Sequence, residues 1–176
     1  NHVFVSTDAG RTFRRTLDGD GAVHAVQFDC FGHVAVVRGR QLGIANGARE
    51  VWRSVRGIDL ANVDDTGYDD VSLIGGGRDL ILLGKAPGDD AKSRVAVSRD
   101  LGGSWTYHDL SDYGMGETTA GAQRADGTIL DGTAIPDCMS EDLAWIEIAP
   151  DGATKTHVHQ IYGMQFRFWG DSILST

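Results

Sequence analysis

Apolar and polar positions alternate in short runs along most of the chain, as in His2-Val3-Phe4-Val5, Val23-His24-Ala25-Val26-Gln27-Phe28 and Arg94-Val95-Ala96-Val97. A period of two over four to eight residues puts alternate side chains on opposite faces of an extended segment, so each run reads as a β-strand with one face in a core. Asp18-Gly19-Asp20-Gly21, Asp29 to Gly32, Gly75-Gly76-Gly77, Ala125-Asp126-Gly127 and Ala149-Pro150-Asp151-Gly152 are turn signals between the runs. The pattern predicts strands at 1–6, 12–16, 23–28, 33–37, 41–45, 71–74, 80–84, 93–98, 118–123, 128–130, 143–148, 163–169 and 172–175, with a further strand through His157-Val158-His159. The expected fold class is all-β.

One stretch occurs twice. Ser98-Arg99-Asp100-Leu101-Gly102-Gly103-Ser104-Trp105 repeats the offsets of Ser6-Thr7-Asp8-Ala9-Gly10-Arg11-Thr12-Phe13, giving S-x-D-x-G-x-[ST]-[WF]. Each copy follows an alternating run and precedes another, which places it on the turn of a hairpin. The Asp can accept hydrogen bonds from N–H groups ahead of it, the Gly can take positive φ, and the aromatic can fold back as a plug. The pattern resembles the Asp-box, or BNR repeat, of the sialidase and sortilin-like β-propellers, in which it is a structural turn between the third and fourth strands of a blade. The resemblance implies four-stranded antiparallel blades, with Ser6, Asp8, Gly10, Phe13, Ser98, Asp100, Gly102 and Trp105 as structural residues. It also implies an extracellular, periplasmic or cell-surface location.

Walked in that register, with strands a to d in each blade, the second strands begin near His33, Asp79, Thr128 and Asp171, at spacings of 46, 49 and 43 residues. Four-stranded blades repeat at about 40–50 residues, so about four blades are expected in one propeller domain or segment spanning 1–176. The stretch from Asn46 to Trp52 falls where a third box is due and keeps only a Gly and the aromatic, so it is read as a degenerate copy. The chain starts on a third strand, without an initiator Met or signal peptide, and stops after a second strand. Two readings follow: a closed ring whose last blade is stitched from both ends, or part of a six- to eight-bladed propeller completed by other segments. The resemblance favours the second.

Composition narrows function. The formal net charge is −9 and the pI near 4.9, which argues against nucleic-acid and anionic-membrane partners. No apolar run approaches the ~20 residues that span a bilayer. Cys30 and Cys138 match neither a metal pair nor a disulfide framework, and the register puts them at opposite ends of the blades, against a disulfide between them.

Chemistry is expected on the longer loops, which join second to third strands and successive blades. They carry Asp59, Asp64, Asp65, Asp69, Asp70, Asp89, Asp90, Asp109, Asp112, Glu117, Asp137, Glu141 and Asp142. Solvated surface loops are the plainest account. Three functional readings stand beside it: a glycosidic acid and base drawn from Asp64, Asp65, Asp69, Asp70, Asp137, Glu141 and Asp142, a calcium site at Asp64, Asp65, Asp69 and Asp70, and a negative face that collects a cationic partner. A sialidase reading lacks the family's Arg-Ile-Pro motif; Phe13-Arg14-Arg15 and Phe166-Arg167-Phe168 do not supply it, and an acidic face has the wrong sign for a carboxylate sugar. His157 and His159 share one side of a strand, as two zinc ligands do, without a third ligand at recognisable spacing. Trp52, Trp105, Trp145 and Trp169 are read as core plugs. The expected function is a non-catalytic binding or scaffold module for a protein or glycan. A glycoside hydrolase is the alternative.

Overall fold

The computed structural model describes residues 2–60, 71–74, 77–88, 93–110, 118–136, 141–159, 166–169 and 172–175, and every regular element among them is a strand. β1 (Val3–Val5) and β2 (Arg14–Thr16) form a hairpin. β3 (Val23–Phe28), β4 (Val34–Arg38), β5 (Gln41–Asn46) and β6 (Arg49–Arg53) make a four-stranded antiparallel sheet in that order. A second sheet has β7 (Ser72–Ile74), β8 (Leu80–Lys85), β9 (Ser93–Ser98) and β10 (Thr106–Asp109). A third has β11 (Thr118–Gln123), β12 (Ile129–Pro136), β13 (Glu141–Ile148) and β14 (Thr154–His159), and β15 (Phe166–Trp169) with β16 (Ser172–Ser175) closes the series as another hairpin. The chain is thus an all-β, propeller-like stack of three four-stranded sheets between two hairpins that together hold the strands of a fourth. Among the described residues the two hairpins are separate two-stranded sheets.

Burial explains why some strands alternate and others read as unbroken apolar runs. On β4, Val34 and Val36 face the β1–β2 hairpin, where they meet Val3, Leu17 and Ala45. Ala35 and Val37 face the other way, into a core with Leu73, Leu80, Leu82 and Ala96 of the second sheet. β8 repeats the device: Leu80 and Leu82 join that core, while Ile81 and Leu83 join Ile129, Ile146 and Ile148 of the third sheet. A strand covered on both faces has no polar side to show. The first strands of successive sheets also meet, β3 with β7, β7 with β11 and β11 with β15, which sets the sheets around a common inner edge.

The β1–β2 hairpin is fastened to the outer half of the first sheet. Thr16, 2 % exposed, donates its hydroxyl to Glu50 Oε1 at 2.6 Å, the Leu17 N–H donates to the same oxygen at 3.1 Å, and Arg14 Nη2 donates to the Gly47 carbonyl. Glu50→Ala leaves those two donors without their acceptor, and the expected cost is about 1–2 kcal/mol, read as a lower urea midpoint with unchanged slope. A further close approach is at Gly43, paired with Trp52: an added Cβ would stand 2.8 Å from the Trp52 ring, so only glycine lets that indole lie across β5.

The supposed degenerate box is corrected by the register. Asn46 pairs with Arg49, so the turn is the two-residue loop Gly47-Ala48 with Gly47 at φ 58°, and Trp52 sits on β6. Without the Ser and Asp side chains to organise a longer turn, the shortest hairpin closes the strands.

Candidate functional site

Both copies of the repeated stretch fold to one turn. Ser6 Oγ donates to Asp8 Oδ1 at 2.8 Å and accepts from the Gly10 N–H at 2.7 Å; Ser98 Oγ donates to Asp100 Oδ1 at 2.9 Å and accepts from the Gly102 N–H at 2.7 Å. The same Oδ1 accepts the N–H of Thr12 or Ser104 at 2.8 Å, and Oδ2 accepts its hydroxyl, at 2.6 Å in the first copy and 2.8 Å in the second. Ala9 (φ 57°) with Gly10 (φ 83°), and Leu101 (φ 54°) with Gly102 (φ 76°), take the left-handed region at the bend. An L residue resists that conformation, so the side-chain bonds on either side hold it in place. Each carboxylate is stabilised as the anion, and Asp8 and Asp100 are both lowered to about 2. In Asp8 the Thr12 hydroxyl contributes most; in Asp100 it is the Ser104 N–H.

The last position of the motif separates the copies. Trp105 packs on the core between the first and second sheets, as a plug should, and Gly102 beside it faces Ile44. Phe13 is 65 % exposed, because no sheet lies beyond the β1–β2 hairpin on that side among the described residues.

The other turns at this end use single carboxylates in the same manner. Asp29 Oδ1 accepts the N–H groups of Phe31 (2.8 Å) and His33 (2.9 Å), and its Oδ2 lies 2.5 Å from His33 Nδ1. Asp126 accepts the Thr128 N–H at 2.8 Å, the largest of the effects that lower its pKa, and Asp151 accepts the Ala153 N–H at 3.0 Å. Two contacts tie the turns of neighbouring sheets. The Cys30 N–H donates to the Gly77 carbonyl at 3.0 Å. Gln123 accepts the N–H groups of Arg78 and Asp79, both at 3.0 Å, and donates to Asp79 Oδ2 at 2.7 Å. All these turns therefore lie at one end of the stack. Between the second and third sheets that end opens into a groove of about 240 Å³, lined among others by Asp79, Arg99, Ser104, Trp105, His108 and Pro150.

Of the candidate catalytic residues, Asp64, Asp65, Asp69, Asp70 and Asp137 lie outside the described residues, and with them the calcium candidates. Glu141 and Asp142 begin β13, in register with Pro136 and Ile135. Among the described residues no three His, Cys, Asp or Glu side chains come together as a metal site. His157 lies on β14 with Nε2 3.7 Å from Glu147 Oε1, which Arg124 Nη1 also approaches at 3.4 Å, so it stands beside the Arg124–Glu147 pair on the sheet face. Cys30 is an exposed free thiol, as its place on a turn implies, and Cys138 lies outside the described residues. Trp52 packs beside the Leu17 and Val36 core; β13 carries Trp145 and β15 carries Trp169.

The groove and the Asp79–Gln123 pair have no counterpart in the sequence reading. Their residues come from two sheets and stand 44 positions apart, whereas every bond of the repeated turn closes within four. The Asp29, Asp126 and Asp151 turns each carried a local sign, an Asp followed within three positions by Gly.

Fold and turns define an all-β repeat protein of propeller-like architecture. Searches of protein-family models, curated proteins and solved structures found no match to this chain.

Proposed function

We propose that this chain is a non-catalytic binding or scaffold propeller of the Asp-box kind, and that it takes a protein or glycan through the loop end opposite its turns. The observation that carries this reading is the sorting of the carboxylates. At the turn end Asp8, Asp29, Asp100, Asp126 and Asp151 are engaged by N–H groups of their own turns, and Asp79 by Gln123. Those groups shape the scaffold. Antiparallel order puts the ends of β6, β8, β10 and β12 at the other end, together with the starts of β7, β9, β11 and β13. The sequence between those strand ends supplies Asp59, Asp64, Asp65, Asp69, Asp70, Asp89, Asp90, Asp112, Glu117 and Asp137, with Glu141 and Asp142 at the start of β13. A net charge of −9, with so many acids in the sequence between these strand ends, favours a cationic ligand, attracted at long range and weakened by salt. The two repeated turns support the family likeness, since each builds the same saturated, structural hydrogen-bond set.

The reading is tested by titrating an oligolysine peptide and a panel of neutral and amino sugars into the chain at low and high salt. The expected result is binding of the cationic probe that falls at least about tenfold between 50 and 200 mM salt, and that is lost in the variant with Asp64, Asp65, Asp69 and Asp70 all changed to Asn. The same protein, offered aryl glycosides, is expected to release no aryl alcohol. Turnover abolished by Asp137→Asn or Glu141→Gln would replace the binding module by a glycoside hydrolase.

A further inference from the structure

Two indoles pack back on the sheet that precedes their own. Trp52 of β6 joins the core shared with the β1–β2 hairpin, and Trp105, just ahead of β10, joins the core between the first and second sheets. The third sheet breaks this pattern. Across the full box Val97 pairs with Thr106, whereas Ile148 pairs with Thr154 across the shorter Ala149-Pro150-Asp151-Gly152-Ala153, and no Trp, Tyr or Phe occurs from Ala149 to His159. The third sheet therefore brings no ring to its boundary with the second. That boundary is where the groove of about 240 Å³ opens.

The groove has apolar walls and a rim whose unspent groups are donors. Ile129 belongs to the core between the second and third sheets, Val97 packs against that core, and both reach the groove. β10 turns Thr106 and His108, two residues apart, to the same side. The His108 ring lies so near the third sheet's turn that a Cβ on Gly152 would stand 2.2 Å from its Nδ1, which brings the two walls together there.

The acids of the rim are already engaged. Asp100 accepts the donors of its own turn through both oxygens, and Gln123 Nε2 donates to Asp79 Oδ2 at 2.7 Å. Arg99 is not: its side chain is 75 % exposed, and its one ion pair among the described residues is with that same Oδ2 at 3.8 Å, too long for a hydrogen bond. The guanidinium keeps its N–H fork for an incoming acceptor, and a carboxylate or phosphate takes such a fork two-pronged. The Trp105 Nε1–H, buried, is a further donor without a partner.

We propose that this groove binds a small organic anion, a flat apolar ring bearing a carboxylate or a phosphate. The ring lies between Val97, Trp105, Ile129 and Pro150, where an indole would close the boundary, and the anionic group sits on Arg99. At about 240 Å³ the space is below the roughly 300–1,000 Å³ of drug-sized sites, which limits the ligand to about one ring. The site is at the turn end, opposite the loops proposed for a cationic partner, so the two ligands do not compete.

The test titrates the chain with benzoate, phenyl phosphate and the neutral benzamide and benzyl alcohol, read by calorimetry and by the indole N–H resonances. The anions are expected to bind with Kd of roughly 0.1–1 mM, and the neutral compounds about tenfold more weakly or worse. The tighter of the two anions identifies the head group. The Trp105 resonance is expected to move, and that of Trp52, on the other face of the first sheet, to stay. Arg99→Gln, exposed and outside the bonds of its turn, is expected to melt like wild type and to weaken both anions about tenfold. Arg99→Lys keeps the charge without the fork and is expected to fall between. Equal affinity for the anions and their neutral counterparts overturns the proposal. So does binding that Arg99→Gln leaves intact, binding that leaves the Trp105 resonance in place, or no binding of either anion up to ~10 mM.

Discussion

Leu82→Ala lowers the stability of the chain by about 3 kcal/mol, within the 2–5 kcal/mol measured when a buried leucine is cut back to alanine. Leu82 is fully buried at the centre of β8 and points into the core that joins the first sheet to the second, among Val37, Leu42, Ile44, Leu73 and Ala96. Its neighbours come from two sheets fixed by their own ladders, so the site collapses poorly and most of the cavity persists. For a domain of this size a loss of 3 kcal/mol moves the midpoint of thermal unfolding by roughly 6–12 °C. The check is a calorimetric melt of wild type and variant side by side. Val26→Ala, at a position 41 % exposed, is the control and is expected to shift the midpoint by little. Equal shifts would mean that the inter-sheet core is not where the stability resides.

Acidification gives the second large effect. Asp8 and Asp100 are held at about 2, below the 3.8 of a free aspartate, by the N–H and hydroxyl groups that bond their ionised form. A depressed carboxylate pKa stabilises the fold above the unfolded value, and the contribution is lost as pH falls through the folded one. The turns therefore add full stability above about pH 5 and surrender it between about pH 4 and pH 2. Asp126 shifts in the same direction and adds to the same window. Asp100→Ala is expected to lower the melting midpoint at pH 7 by about 5 °C and to flatten the acid limb of the stability curve. Asp100→Asn removes the charge while keeping an oxygen for the Ser104 N–H, and should fall between the two. The measurement is a series of urea midpoints from pH 7 to pH 2. A variant that keeps the wild-type slope below pH 4 would show that Asp100 does not carry that dependence.

How much the sequence disclosed depended on the range of the forces involved. β3, β9, β11 and β16 sit where alternation and flanking turn residues put them, at 23–28, 93–98, 118–123 and 172–175. β12 runs to Pro136 although the reading stopped at 130. Asp131-Gly132-Thr133-Ala134 has little intrinsic preference for a strand, and its pairing with Trp145, Ile146 and their neighbours on β13 extends it. β10, with Thr106-Tyr107-His108-Asp109, is an outer strand with no apolar period, and only its ladder to β9 defines it. The same division holds for the candidate sites. In the repeated turn the Asp-to-N–H bonds and the positive-φ glycine were legible because every bond of the turn closes within four positions, whereas the bonds of the Ser and Thr hydroxyls were not read. Contacts such as Gln123 with Asp79 or Glu50 with Thr16 were hidden because loop closure over more than 30 residues leaves no local trace.

The double-sided burial of β4 and β8 has a consequence for how the protein comes apart. Each four-stranded sheet holds its neighbour through a shared apolar layer, so the stack behaves as a row of coupled units in which a sheet is stable in proportion to how many sides it has covered. The second sheet shares an apolar layer with a full sheet on each face, so its amides are expected to be among the slowest of the described residues to exchange.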